Sequence, residues 1–132
     1  LERDEAVQTV NFHKEIAGEK FPAGRLTKVV VGPNSKVTAE NFVQGYVTIY
    51  PGGSVPEHRH ANEEVYTIIS GRGEMMVNGE TETLEAGSAV YIPPGQAHSL
   101  TNNSDQDLIM IFVYSPANIV DHWEEERKGL LK

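Results

Sequence analysis

Seven short runs of β-branched, aromatic and aliphatic residues recur along the chain, at 26–31, 42–50, 64–69, 74–77, 89–92, 97–101 and 108–114, each bounded by Gly, Pro or Asn. A strand buries one face and needs a second layer to bury it against, so many short strands at this spacing predict an all-β sandwich or barrel. The punctuation agrees. Pro51-Gly52-Gly53, Ser70-Gly71-Arg72-Gly73, Pro93-Pro94-Gly95 and Asn102-Asn103-Ser104-Asp105 all carry turn chemistry. Asn78-Gly79, set between 74–77 and 80–84, is the preferred pair for a two-residue hairpin, because both residues tolerate positive φ.

The 132 residues fit one domain over 1–132, with 39% apolar and 23% charged residues placing the chain in the globular range. Residues 1–40 read as an arm and loops around a first strand, 45–115 as the barrel, and 118–128 as a short helix closed by Gly129. Trp123 is expected to pin that helix to the barrel, and Met76 and Met110 to fill the core. An arm of this kind often pairs with a second subunit, so a homodimer is expected.

A net charge of −8 without a basic cluster repels phosphate backbones and anionic lipid, so neither nucleic acid nor membrane is an expected partner. The chain has no cysteine, which excludes disulfides and thiolate metal sites. No apolar run reaches the roughly 18 residues of a membrane span. Cytoplasm is the expected compartment, and the start at Leu1 instead of methionine leaves room for a leader removed beforehand.

His58-Arg59-His60 follows a Pro/Gly-rich turn. On an extended backbone the two imidazoles share a face about 6.6 Å apart, close enough to reach one ion. Glu64 opens the next strand, and a period of two puts Tyr66 and Ile68 on the same inward face. His98 begins the strand after Pro93-Pro94-Gly95-Gln96 and must arrive from across the barrel. Three neutral nitrogens and one carboxylate oxygen suit manganese, iron, nickel, copper or zinc. A divalent ion with one carboxylate ligand keeps a local charge near +1, which attracts an acidic small molecule despite the acidic surface.

These residues sit in two spaced patterns. The first is Gly52, five residues, His58, one, His60, three, Glu64, six, Gly71; the second is Gly87, five, Pro93, one, Gly95, two, His98, three, Asn102. The chain resembles the cupin superfamily, whose two motifs it matches at every position, with the short intermotif spacing of small microbial one-domain members. That resemblance implies a double-stranded β-helix or jelly-roll barrel with a short C-terminal helix, usually dimeric. It also implies one divalent transition metal per chain on His58, His60, Glu64 and His98.

Three functions stay open at this point. A Lewis-acidic metal could chelate a small hydroxy or oxo acid, or a sugar acid, for isomerisation or elimination. A redox-active metal could instead serve a dioxygenase or decarboxylase. In the third reading the barrel only captures a sugar or metabolite, because fold does not dictate function. The complete motif favours the enzymes, since storage members of the superfamily often lose ligands. Tyr46 and Tyr66 are the candidate catalytic residues, as proton donor or substrate anchor. Tyr46, Thr48 and Tyr50 share one strand face, Tyr91 is a further lining candidate, and packing is an equal alternative for each. His13 and His122 match no motif position and are assigned to surface or packing.

Overall fold

The computed structural model describes residues 7–117 and 122–128. In chain order the elements are α1 (Phe12–Glu15), β1 (Glu19–Phe21), β2 (Arg25–Gly32), β3 (Val37–Thr38), β4 (Val43–Ile49), β5 (Ser54–His58) and β6 (Glu63–Ser70). There follow β7 (Arg72–Val77), β8 (Glu80–Glu85), β9 (Ala89–Ile92), β10 (His98–Thr101), β11 (Leu108–Ser115) and α2 (His122–Arg127). One sheet runs β1-β2-β4-β11-β6-β9 with β3 alongside β2, and the other runs β5-β10-β7-β8. All pairings are antiparallel except β2 with β3.

The alternation read from the sequence becomes the two faces of these sheets. On β4 the inward residues are Val43, Gly45, Val47 and Ile49, and on β11 they are Leu108, Met110, Phe112 and Tyr114. These meet Val55, Ile68, Met75, Leu84, Ile92 and Leu100 in one core. Each fully buried aliphatic side chain stabilises the fold by roughly 1.5–3 kcal/mol relative to leaving it in water. The core methionine of β7 is Met75, with Met76 half-buried. The expectation for Met76 therefore failed by one residue of register, which exchanges the two faces of a strand. Met110 is core as expected.

Asn78 (φ 50) and Gly79 (φ 83) form the two-residue turn between β7 and β8 with Val77 opposite Glu80. Gly71 turns β6 into β7 at φ 85, and a Cβ there would lie 2.4 Å from the Asp107 carbonyl oxygen.

The N-terminal arm is more structured than its sequence suggests, with α1, β1 and β3 flanking the expected strand. Asn11 caps α1 by accepting from the His13 and Lys14 amides, and its own N–H donates to Glu15 at 2.9 Å. Phe12 and His13 then pack on Tyr46, covering part of the outer face of the larger sheet. Of the expected helix 118–128, residues 122–127 are helical, while 118–121 and the proposed cap Gly129 lie outside the described residues. No described helix is long and apolar enough to cross a membrane.

Candidate metal centre

Two of the candidate ligand residues are set opposite each other by strand pairing, since His98 on β10 is the direct partner of His58 on β5. A bulge between His98 and Leu100 lets Val55 and His58 both face inward although they are three residues apart. Pro56 sits inside this irregularity, where its missing N–H costs no ladder bond. His60 lies just past β5, in a loop tied down by the Gly95 N–H, which donates to the His60 carbonyl at 2.7 Å. Glu64 comes from β6 in the other sheet, between Ile92 of β9 and Tyr114 of β11.

One ligand atom from each of His58, His60, Glu64 and His98 lies within 4.8 Å of all the others. His60 Nε2 is 3.1 Å and His98 Nε2 3.6 Å from Glu64 Oε1. The imidazoles are locked from behind. His58 Nδ1–H donates to Pro56 O at 2.7 Å, His60 Nδ1–H to Asn62 O at 3.1 Å and His98 Nδ1–H to Gln96 O at 2.9 Å. A ring whose Nδ1 carries the proton offers Nε2 as its ligand atom, and His60 Nε2 already stands within hydrogen-bond reach of the Glu64 carboxylate. His98 is 0% exposed and its Nε2 has no hydrogen-bond partner. A buried polar atom without a partner is costly, and a metal ion would satisfy it. The donor set and its orientation therefore fit a divalent transition metal.

His58, His60 and Glu64 line a cavity together with Arg25, Thr27, Tyr66, Phe112, Tyr114 and Trp123. Of the two candidate catalytic tyrosines, Tyr66 is here and Tyr46 is not. Tyr46 lies on the outward face of β4 with Thr48 and Tyr50, because the inward parity of that strand belongs to Val43, Gly45, Val47 and Ile49. Its ring stacks 4.3 Å from Phe12. Tyr91 is exposed as well, its hydroxyl donating to Glu63 at 2.8 Å. Burial and then the Glu64 carboxylate hold the Tyr66 phenol well above its usual range, partly offset by Arg25. Tyr114 is pushed up to about 12 by burial and Glu64.

Several cavity residues escaped the sequence reading. Tyr114 was legible from the alternation of its strand. Arg25 and Thr27 share the inward face of β2, but Arg25 stands one residue before the apolar run. Glu126, 1% exposed, belongs to the acidic stretch 124–126, which reads as a solvated helix face. Trp123 was expected to pin α2, and its ring meets Phe21, Phe112 and Tyr114 at 6.2–6.4 Å.

Residues 45–114 match the family model described as cupin domain, which is more than half of the chain. The chain belongs to the cupin family. This cupin is 32% identical over 94 residues to a tetracenomycin polyketide synthase protein of Streptomyces glaucescens, covering 70% of the cupin and 62% of that protein. It is 29% identical over 131 residues to 5-nitrosalicylic acid 1,2-dioxygenase of a Bradyrhizobium species, covering 96% and 60% of the two chains. The cupin thus spans about three-fifths of the length of these curated relatives. In structure it is similar to an RmlC-like cupin from Shewanella frigidimarina, with TM-score 0.70, 19% identity and coverage of 82% and 90%. That likeness bears out the jelly-roll fold expected from the two motifs.

Proposed function

We propose that this cupin is a metal-dependent enzyme for a small hydroxy or oxo acid, with one divalent manganese, iron, nickel, copper or zinc ion held by His58, His60, Glu64 and His98. The observation that carries this reading is the convergence of the three imidazoles, each fixed through Nδ1 and each with a ligand atom within 4.8 Å of a Glu64 oxygen. The dioxygenase relative is named for an aromatic hydroxy acid, which supports a carboxylate-bearing ligand.

When bound, the ion would act as a Lewis acid on a chelated hydroxyl or carbonyl, or activate oxygen if it is redox-active. The chain's own residues supply the rest. Tyr66 stays protonated in its buried position and donates a hydrogen bond to oxyanion character on the bound acid. Phe112, Tyr114 and Trp123 exclude water from the same space. Tyr46 has no place in this scheme, being packed outside the barrel.

Elemental analysis of protein purified without chelator or affinity nickel, together with oxygen uptake on a panel of hydroxy and oxo acids, tests the reading. Near-stoichiometric metal with uptake assigns an oxygenase, and metal with turnover but no uptake assigns an isomerase or lyase. A folded, metal-free barrel refutes the proposal and leaves a binding module.

We also propose a homodimer, because β9 ends its sheet with Tyr91 exposed while β8, an end strand of the other sheet, is guarded by Glu80, Glu82 and Glu85. Light scattering should give twice the 14.6 kDa of one chain, and a monomer at every concentration rejects the pairing.

A further inference from the structure

Arg25, which lines the cavity, belongs to a buried ion pair that the four candidate ligand residues do not require. Arg25 on β2 is 2% exposed and Glu126 on α2 is 1% exposed. Arg25 Nη2 donates to Glu126 Oε1 at 2.6 Å, Nη1 donates to Glu126 Oε2, and Nη1 also reaches Ser54 O at 3.1 Å. The guanidinium stacks on Phe21, with Cζ 4.4 Å from the ring centroid. Two parallel N–H···O bonds are how an arginine fork receives any carboxylate, whether from a side chain or from a small molecule.

Two residues along the same inward face, Thr27 Oγ1 is buried without a hydrogen-bond partner and also lines the cavity. Thr27 Oγ1 and His98 Nε2 are the two such atoms among the described residues. One faces the metal cluster, and the other lies beside the arginine. The cavity that Arg25 and Thr27 line is small, about 20 Å³, which is room for roughly one water. A hydroxy or oxo acid is larger than that space, and Trp123 of α2 forms part of its lining.

We propose that Arg25 and Thr27 anchor the carboxylate of the small acid, and that Glu126 occupies this anchor as an internal stand-in until the ligand displaces it together with α2. The inference rests on the metal-dependent reading above for the other end of the ligand. Its energetic basis is conservation of charge. Removing one member of a buried ion pair leaves an uncompensated charge, whereas exchanging one carboxylate for another leaves Arg25 paired and the charge of the cavity unchanged. Arg25 therefore has two nearly equivalent partners, which makes the position of α2 sensitive to a ligand. This also defines specificity, since a neutral analogue of the same shape cannot relieve the arginine of Glu126.

Trp123 is the single tryptophan of the chain and sits on α2 against Phe112 and Tyr114, so its emission reports the helix. The probes are lactate and its neutral isostere lactamide, titrated into the native chain, Glu126→Gln, Arg25→Lys, and the double variant Arg25→Gln/Glu126→Gln. The double variant removes both charges, so it leaves no buried ion unpaired, and thermal melts establish that each variant folds. Lactate should shift native Trp123 emission to the red and lactamide should not. Glu126→Gln should bind lactate about tenfold more tightly, because the competing closed state is weakened. The double variant should bind it at least about tenfold more weakly than Glu126→Gln, and Arg25→Lys should be weakened through loss of the fork. Lactate that leaves native Trp123 emission unchanged and binds Glu126→Gln no better overturns the proposal. Elemental analysis of the same samples separates the two readings. One metal per chain with an unresponsive Trp123 removes the stand-in alone, while a responsive Trp123 in chains that take up no metal removes the metal reading alone.

Discussion

His98 and Glu64 meet from opposite sheets, with His98 Nε2 on the four-stranded sheet 3.6 Å from Glu64 Oε1 on the larger one. The contact exists only when both sheets are in register, so the cluster is a property of the closed barrel.

Substituting His98→Ala should sharply lower metal content while leaving the barrel folded, since Ala is tolerated at a strand end and the other three ligand residues stand on separate segments. Elemental analysis beside a circular dichroism melt reads both effects. Unchanged metal in a folded variant would remove His98 from the ligand set.

Asn62 holds the loop that carries His60. Its side-chain N–H donates to Pro116 O at 2.6 Å, and its carbonyl accepts from His60 Nδ1. Asn62→Ala keeps that carbonyl but frees the loop, and groups that orient ligands typically matter about 10- to 100-fold in metal affinity. Loss near the lower end, about tenfold, is expected in a competitive chelator titration. Equal affinity would show that His60 is held by other contacts.

Gly45 on β4 faces Phe112, and a Cβ there would lie 2.3 Å from two atoms of that ring. Gly45→Ala should cost about 1–3 kcal/mol through overpacking. Adding Phe112→Leu should recover part of it. Urea unfolding of the three chains tests the pair, and no recovery in the double variant would place the strain elsewhere.

Asn102 is 0% exposed and ties three segments together. It donates to Ile49 O at 2.9 Å and Gln106 O at 2.7 Å, and its oxygen accepts from the Ser104 N–H and hydroxyl. Asn102→Ala removes the buried bond to the Ile49 carbonyl, while Ser104 and Gln106 keep their bond to each other, for an expected loss of about 1–3 kcal/mol. A melting temperature within a degree of the native chain would contradict this account.

Local sequence determined the strands that show alternation, though not the short β1, β3 and β5, because alternation, turn glycines and Asn78-Gly79 act over a few residues and need no distant partner. It also marked the four residues of the cluster, since His58, His60, Glu64 and His98 stand at fixed distances from the turns that position them. The inward direction of Tyr66 followed from the alternation of its strand, but that of Tyr46 and Met76 was decided by tertiary structure, because a shift of one residue exchanges the faces of a strand and a bulge such as the one in β5 resets the count. The same holds for Arg25 and Glu126. One stands at the edge of an apolar run and the other in an acidic stretch, and each reads as solvated until the chain closes and brings together charges 101 positions apart. Burial of a charge depends on the partner it meets, and that partner is set by the fold.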